Sequence, residues 1–337
     1  MTGVRAAMRS VNARGRRNFL SGDLTPGIGA LVLMLALVAA LGWSNSIHPR
    51  RLLGWHEGML AGTAAAPDQY RVLTPTLADL IFWIRAPEDP AFVTWVLRHS
   101  YFILHFFAFT VAGFFFLSFC RRWMNLPRAL LCVALLMGIS SVSNLYGFMQ
   151  VTDPLHLMFV TIGLWAIQRR VHLLLVAAMV IGATNREGIL VLAGYYALME
   201  WPRPRREVVP ITLLLVVVWA ATYGALRLAY GPREYAADVV MLAYNFGNVW
   251  VLLPLLLLLV PLGLTAFQRP SGEWPAVLRR AALVAPPFIL LHLVIARVEE
   301  VRLLLPLLPV LIPLAVLGIS EPNQGECETE TAADCEA

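Results

Sequence analysis

The sequence predicts an all-α integral membrane protein with about ten transmembrane helices and an interfacial helix in its first outer loop. Apolar residues make up 59% of the 337 and charged residues 14%, against about 45–50% and 25% in soluble domains. Long apolar runs recur along the chain, and a soluble globule has no means of covering them. The third observation is sidedness: all the basic residues are Arg, and their clusters alternate with apolar runs. The net charge of +5 and pI of about 9.3 are therefore explained by membrane topology rather than by nucleic-acid binding.

Taken in order, residues 1–24 hold Arg5, Arg9, Arg14, Arg16 and Arg17 against one acid, Asp23, which places this segment in the cytoplasm. The apolar run at 25–45 is longer than a signal-peptide core, lacks a clean cleavage site and is expected to be a retained anchor. Further spans are expected near 92–119, 127–146, 154–168, 171–184, 188–200, 208–229, 246–267, 281–297 and 303–319. Both termini then lie in the cytoplasm and 25–319 forms one helical domain. In this arrangement Arg121, Arg122, Arg128, Arg169, Arg170, Arg203, Arg205, Arg206, Arg269, Arg279 and Arg280 lie inside, with few acids beside them. Outer loops are mixed in sign.

The outer loop 46–91 contains Val72–Ile84, too short to span but suited by Phe82 and Trp83 to an interfacial helix. Residues 171–200 read best as a tight hairpin with Asn185-Arg186-Glu187 at its tip, because a single span would put two arginine clusters on opposite sides. Arms of 13–14 residues reach only about 20 Å, so the tip is expected to sit low, within protein or a wet vestibule. The acidic tail 320–337 lacks apolar periodicity and is expected to be disordered. Cys120, Cys132, Cys327 and Cys335 have no metal or disulfide spacing and are expected to be free thiols.

Four groups of residues could carry chemistry. His56, Glu57, Asp68, Tyr70 and Arg71 follow the first span; a carboxylate there could serve as a general base at the membrane surface, or belong to an ordinary solvated loop. Asp153 before Pro154, with His156 one turn on, could line a site or simply cap a helix. Arg186 and Glu187 could hold a phosphate, or close their turn as an ion pair. Arg297, Glu299, Glu300 and Arg302 crowd one short turn more densely than solubility alone requires. His105, His172 and His292 are expected to pack rather than ligate, and Arg227 to snorkel. Phosphate-cradling Gly loops, GxSxG and HExxH are absent.

Three stretches carry a resemblance: Gln69-Tyr70-Arg71-Val72-Leu73-Thr74-Pro75, Asn185-Arg186-Glu187 before an apolar helix, and Glu300-Val301-Arg302 leading into Pro306 and Pro309. Asp153 fits more loosely. With them the chain resembles bacterial polytopic membrane glycosyltransferases of the GT-C superfamily. That resemblance implies a multi-pass protein of the bacterial cytoplasmic membrane acting on its outer face with a polyprenyl-phosphate-linked sugar donor. It also implies a catalytic carboxylate in the first outer loop, and leaves room for a divalent cation without requiring one.

Such enzymes commonly show Asp-Glu, Asp-Asp or Asp-Gly in that loop. The nearest candidates here are Glu57, after His56, and Asp68, so the base stays open between them. Arg71, Arg186 and Arg302 would hold the donor phosphate, and Tyr70, Asp153, His156, Glu187, Glu299 and Glu300 would line the substrate site. Two other classes remain: a transporter or flippase for lipid-linked or anionic substrates, which would favour midplane charges and matching halves, and a noncatalytic assembly subunit.

Overall fold

The computed structural model describes residues 26–45, 49–84, 92–143, 151–235, 240–266, 268 and 274–319. The segments 1–24 and 320–337, including Cys327 and Cys335, lie outside the described residues. Apart from one isolated bridge between Ala66 and Tyr235, the regular structure described is helical. The helices are α1 Pro26–Asn45, α2 Pro49–Leu60, α3 Leu73–Ile84, α4 Val93–Cys120, α5 Leu126–Val142, α6 Asp153–Arg169 and α7 His172–Asn185. They continue as α8 Val191–Met199, α9 Arg205–Tyr230, α10 Leu242–Gly247, α11 Val249–Ala266, α12 Ala276–Ala282, α13 Ala285–Ile295 and α14 Leu308–Ile319. Short 3-10 turns at Asp68–Tyr70, Glu187–Leu190 and Val301–Leu304 stand at the joints that matter below.

Five helical stretches are long and apolar enough to cross a membrane: α1, α4, α9, α11 and the run Ala276–Ile295. Shorter apolar helices occupy Leu126–Val142, His172–Asn185, Glu187–Met199 and Leu308–Ile319. Each expected span thus contains helix, and five of them have full spanning length. The outward faces are apolar as well, with Leu213, Val217, Leu228, Trp250, Leu257, Leu264 and Leu290 all exposed. An apolar surface of that extent is stable against lipid tails and not against water. The fold fits a membrane-embedded helical protein.

α4 is the central post, packed against α1, α6 and α3, while α1 also packs on α5. Its seam of Tyr101, Phe109, Phe116 and Phe119 is buried with Trp43 of α1, and the Trp43 and Phe109 rings meet edge to face at 6.3 Å. His105 is buried as expected, its ring nitrogens within hydrogen-bond distance of Ser44 Oγ and the Val151 carbonyl. Cys120 and Cys132 are buried free thiols.

Local signals explain the helix ends. α5 starts where the Asn125 side chain accepts from the Arg128 N–H at 3.3 Å, with Pro127 in the first turn. α6 stops at Arg170, whose φ of 59° is left-handed. The Val171 N–H closes back on the Ala166 carbonyl at 2.9 Å, a C-terminal arrangement that usually takes glycine. Thr152, not Asp153, is the residue preceding α6, and its side chain makes no cap. Asp153 is therefore the first helical residue, its carboxylate turned to other partners.

The hairpin α7–α8 is present, and its tip is buried: Asn185 and Arg186 are 0% and 6% exposed. Val72–Ile84 is helical from Leu73 onward, with Leu80 and Trp83 exposed and Ala78 buried. The polar stretch Pro49–Leu60 forms a further helix, α2, which has no apolar run to announce it.

Gly318 marks a close helix approach. A Cβ placed there would lie 1.8 Å from the Thr265 carbonyl oxygen, so α14 and α11 meet backbone to backbone. Gly318→Ala is expected to destabilise the protein by about 1–3 kcal/mol, read as a lower unfolding temperature in detergent. Gly138→Ala in α5, where a Cβ meets nothing within 4 Å, should be neutral or stabilising.

Candidate functional site

Three joints between helices meet at one end of the bundle. The first is the turn Asp68–Tyr70 with Arg71, the second is the hairpin tip Asn185–Glu187, and the third is the turn carrying Glu300 and Arg302. The start of α6, at Asp153, lies among them. Arg302 Nη1 donates to Asp153 Oδ2 at 3.0 Å, while Arg186 pairs with the other Asp153 oxygen and Arg302 with Glu300. Asp153, Arg186 and Arg302 are 1%, 6% and 3% exposed, so this is a floor of charge closed to water.

Above that floor stands a second group. Arg71 uses Nε and Nη2 to grip both oxygens of Glu187, at 3.2 and 2.5 Å, the bidentate fork that planar guanidinium and carboxylate favour. Its Nη1 donates to Asp68 Oδ1 at 3.1 Å, and Trp55 Nε1 donates to Asp68 Oδ2 at 3.1 Å. Burial opposes the charge on Arg71, but Glu187 and Asp68 outweigh it, holding its pKa above the ordinary value. The Asp68 and Glu187 side chains are 27% and 33% exposed. These two carboxylates form the wet edge of the network.

The two levels are joined through the backbone of Arg186-Glu187 and by a polar clamp. Thr74 Oγ1 donates to Asn185 Oδ1 at 2.5 Å, and Asn185 Nδ2 donates to the Thr152 carbonyl at 2.8 Å. α3, the hairpin and the start of α6 are thereby held in one register. Trp219 of α9 donates to the Glu187 carbonyl at 2.9 Å. His156 is buried beside the same turn, since a Cβ on Gly188 would lie 3.4 Å from its Nε2. Its Nδ1 has no hydrogen-bond partner among the described residues.

Of the residues singled out from sequence, the structure brings together Asp68, Arg71, Asp153, His156, Arg186, Glu187, Glu300 and Arg302. It does not bring in Glu57, which is exposed and whose carboxylate has no ion-pair or hydrogen-bond partner among the described residues. Tyr70 turns away, donating to the Gly231 carbonyl at 3.0 Å and meeting Tyr223 edge to face. Glu299 faces the other way from Glu300 and accepts from Tyr244 at 2.8 Å. Arg227 does not simply snorkel: its guanidinium lies over the rings of Tyr70 and Tyr223.

Sequence reasoning missed Trp55 and Trp219, and it met Thr74 only inside the resembling stretch without a role, because nothing in their spacing marks a bond to a residue far along the chain. It also missed a side cluster in which His56 approaches Asp79 at 3.5 Å and Tyr101 at 3.0 Å. Burial pushes the His56 imidazole below its ordinary pKa, with Asp79 pulling the other way. Among the described residues, no group of three or more His, Cys, Asp or Glu is placed to hold a metal ion.

No protein-family model matches the chain, and neither a curated protein nor a solved structure matches it. The class that fold and site define is a membrane-embedded helical protein with a network of charged side chains at one end of its bundle.

The floor and the edge should respond differently to mutation. Asp153→Ala leaves two buried guanidiniums facing each other and is expected to cost about 3–5 kcal/mol, measured as loss of monodisperse folded protein in detergent. Asp68→Asn keeps the shape and the Trp55 bond at a partly exposed position, and the unfolding temperature should change little.

Proposed function

We propose that this chain is a membrane glycosyltransferase that moves a sugar from a polyprenyl-phosphate-linked donor to an acceptor hydroxyl. In this reading the ten apolar stretches all span a bacterial cytoplasmic membrane, both termini are cytosolic, and the network faces outward. What supports it is one observation: charged side chains from stretches around residues 68–71, 153, 186–187 and 300–302 meet at one end of an apolar bundle. Ionised groups in such a setting are costly and, outside a structural pair, mark a polar pathway or site.

Asp68 is the base in this account. It is partly exposed, and Trp55 and Arg71 orient its two oxygens while leaving lone pairs for an acceptor. The acceptor hydroxyl gives its proton to Asp68 as its oxygen bonds to the anomeric carbon. The bond between that carbon and the phosphate oxygen breaks, and the electron pair leaves with the lipid phosphate, inverting the sugar. Arg71 takes the leaving charge by exchanging one arm of its fork from Glu187 to phosphate. Arg186 and Arg302 lie below, neutralised by Asp153 and Glu300, and their task is to hold the hairpin tip and its Glu187 in place. The lipid donor enters laterally between helices.

A second reading is favoured by the completeness of the pairing. Arg71, Arg186 and Arg302 are each already matched to a carboxylate, which suits a noncatalytic subunit that binds lipid-linked sugar without turning it over.

The test is purified protein incubated with labelled polyprenyl-phosphate sugar and a hydroxyl acceptor. Transfer is expected, with Asp68→Asn lowering turnover about 10²–10⁴-fold and Glu57→Gln leaving it unchanged. Full turnover in Asp68→Asn would remove Asp68 as the base. Donor binding without turnover in the wild type would favour the noncatalytic subunit, and movement of donor across a bilayer without transfer would favour a flippase.

A further inference from the structure

The opposite end of the bundle holds a second polar feature, independent of the network above. A cavity of about 360 Å³ opens where α4, α6 and α8 end, walled also by α12, and four arginines line it: Arg122, Arg170, Arg203 and Arg280. One carboxylate, Glu200, faces them. α6 separates this cavity from Asp153 by its full 17 residues, about 25 Å. We propose that this cavity binds a phosphate group, carried either by an anionic lipid headgroup or by a soluble phosphate compound.

The charge balance carries the proposal. Four guanidiniums meet one carboxylate in the lining, Glu207 reaches Arg203 from outside it at 3.8 Å, and the three helix C-termini add roughly half a negative charge each. Roughly half a positive charge is left over, and it is concentrated on Arg122 and Arg280, which have no carboxylate within ion-pair distance among the described residues. Glu200 is shared between Arg203, at 2.5 Å, and Arg170, at 3.9 Å. Arg280 Nη2 donates to the Met199 carbonyl at 3.2 Å, which caps α8 but neutralises no full charge. Arg122 makes no ion pair or hydrogen bond among the described residues, and partial burial together with Arg169 and Arg170 weakens its hold on a proton.

Two buried polar atoms on the same wall are also unsatisfied. Gln168 Oε1 and Arg280 Nε have no hydrogen-bond partner among the described residues. Membrane topology accounts for arginines at helix ends, but it does not require four of them to converge on one cavity. Arg170 adds a further sign, because its left-handed backbone would suit glycine better and yet carries a guanidinium into the cavity wall. Basic pockets between helices are a known physical solution for phosphate headgroups.

The experiment uses the full chain in neutral detergent, titrated with inorganic pyrophosphate by calorimetry at constant ionic strength. In parallel the protein is placed in phosphatidylcholine nanodiscs with or without phosphatidylglycerol, and the lipid that stays bound is read by mass spectrometry. Arg122→Gln lies on a connecting turn and Arg170→Gly relaxes the backbone, so both variants should unfold at or above the wild-type temperature. Saturable pyrophosphate binding that weakens about tenfold or more in each variant supports the site with a soluble ligand. Selective retention of phosphatidylglycerol that both variants lose supports it with a lipid headgroup. The proposal is overturned if wild type prefers neither ligand, if both variants bind as wild type does, or if binding survives in them and vanishes in Arg71→Gln.

Discussion

The structure depends on one electrostatic constraint: the Asp153 carboxylate lies inside a body of apolar helices and pairs with both Arg186 and Arg302. A carboxylate at 1% exposure without such partners would be unstable by several kcal/mol. The three residues come from the start of α6, the tip of the α7–α8 hairpin and the turn before α14, so satisfying one charge fixes three joints at once. Arg71 and Glu187 then build outward from the same tip. Well-packed apolar residues would stabilise these joints at least as well, so what the ion pairs add is a fixed register of the three joints rather than extra stability.

The gradient of exposure across the network divides its labour. Asp153 and the two guanidiniums beside it are closed to water, whereas Asp68 and Glu187 are about one-third exposed or less and still reachable. A buried floor that holds its geometry and a wet edge that exchanges partners is the arrangement a reacting site needs, because orientation must be set before a substrate arrives. The clamp from Thr74 through Asn185 to the Thr152 carbonyl ties the amphipathic helix α3 to this floor. The surface beside α3 therefore has its position coupled to the charges beneath it.

The helices were legible because apolar composition is a local property: the runs at 25–45, 92–119 and 208–229 agree with α1, α4 and α9 to within a few residues. α2 was not, since Arg50, Arg51, His56 and Glu57 interrupt its apolar face and its helicity rests on packing against α4 and α3. The buried hairpin tip was legible from arm length against bilayer thickness. The site was legible only as a set of candidates. Asp153 and Arg302 lie 149 positions apart, and no pattern in one sequence states such a pairing. Neighbours in a turn diverge for the same reason: Glu300 joins Arg302 while Glu299 joins Tyr244, and Arg71 enters the network while Tyr70 leaves it.

In the proposed arrangement the Asp68 network and the arginine cavity lie on opposite faces of one membrane, with the network away from the cytosol. Labelling of single cysteines in an otherwise cysteine-free protein tests this most directly, using exposed positions beside each feature, Thr63→Cys and Arg206→Cys, in intact cells treated with a membrane-impermeant thiol reagent. Thr63→Cys should react at once and Arg206→Cys only after the membrane is opened. Reaction of both from the same side, or of Arg206→Cys alone in intact cells, would contradict the outward-facing site.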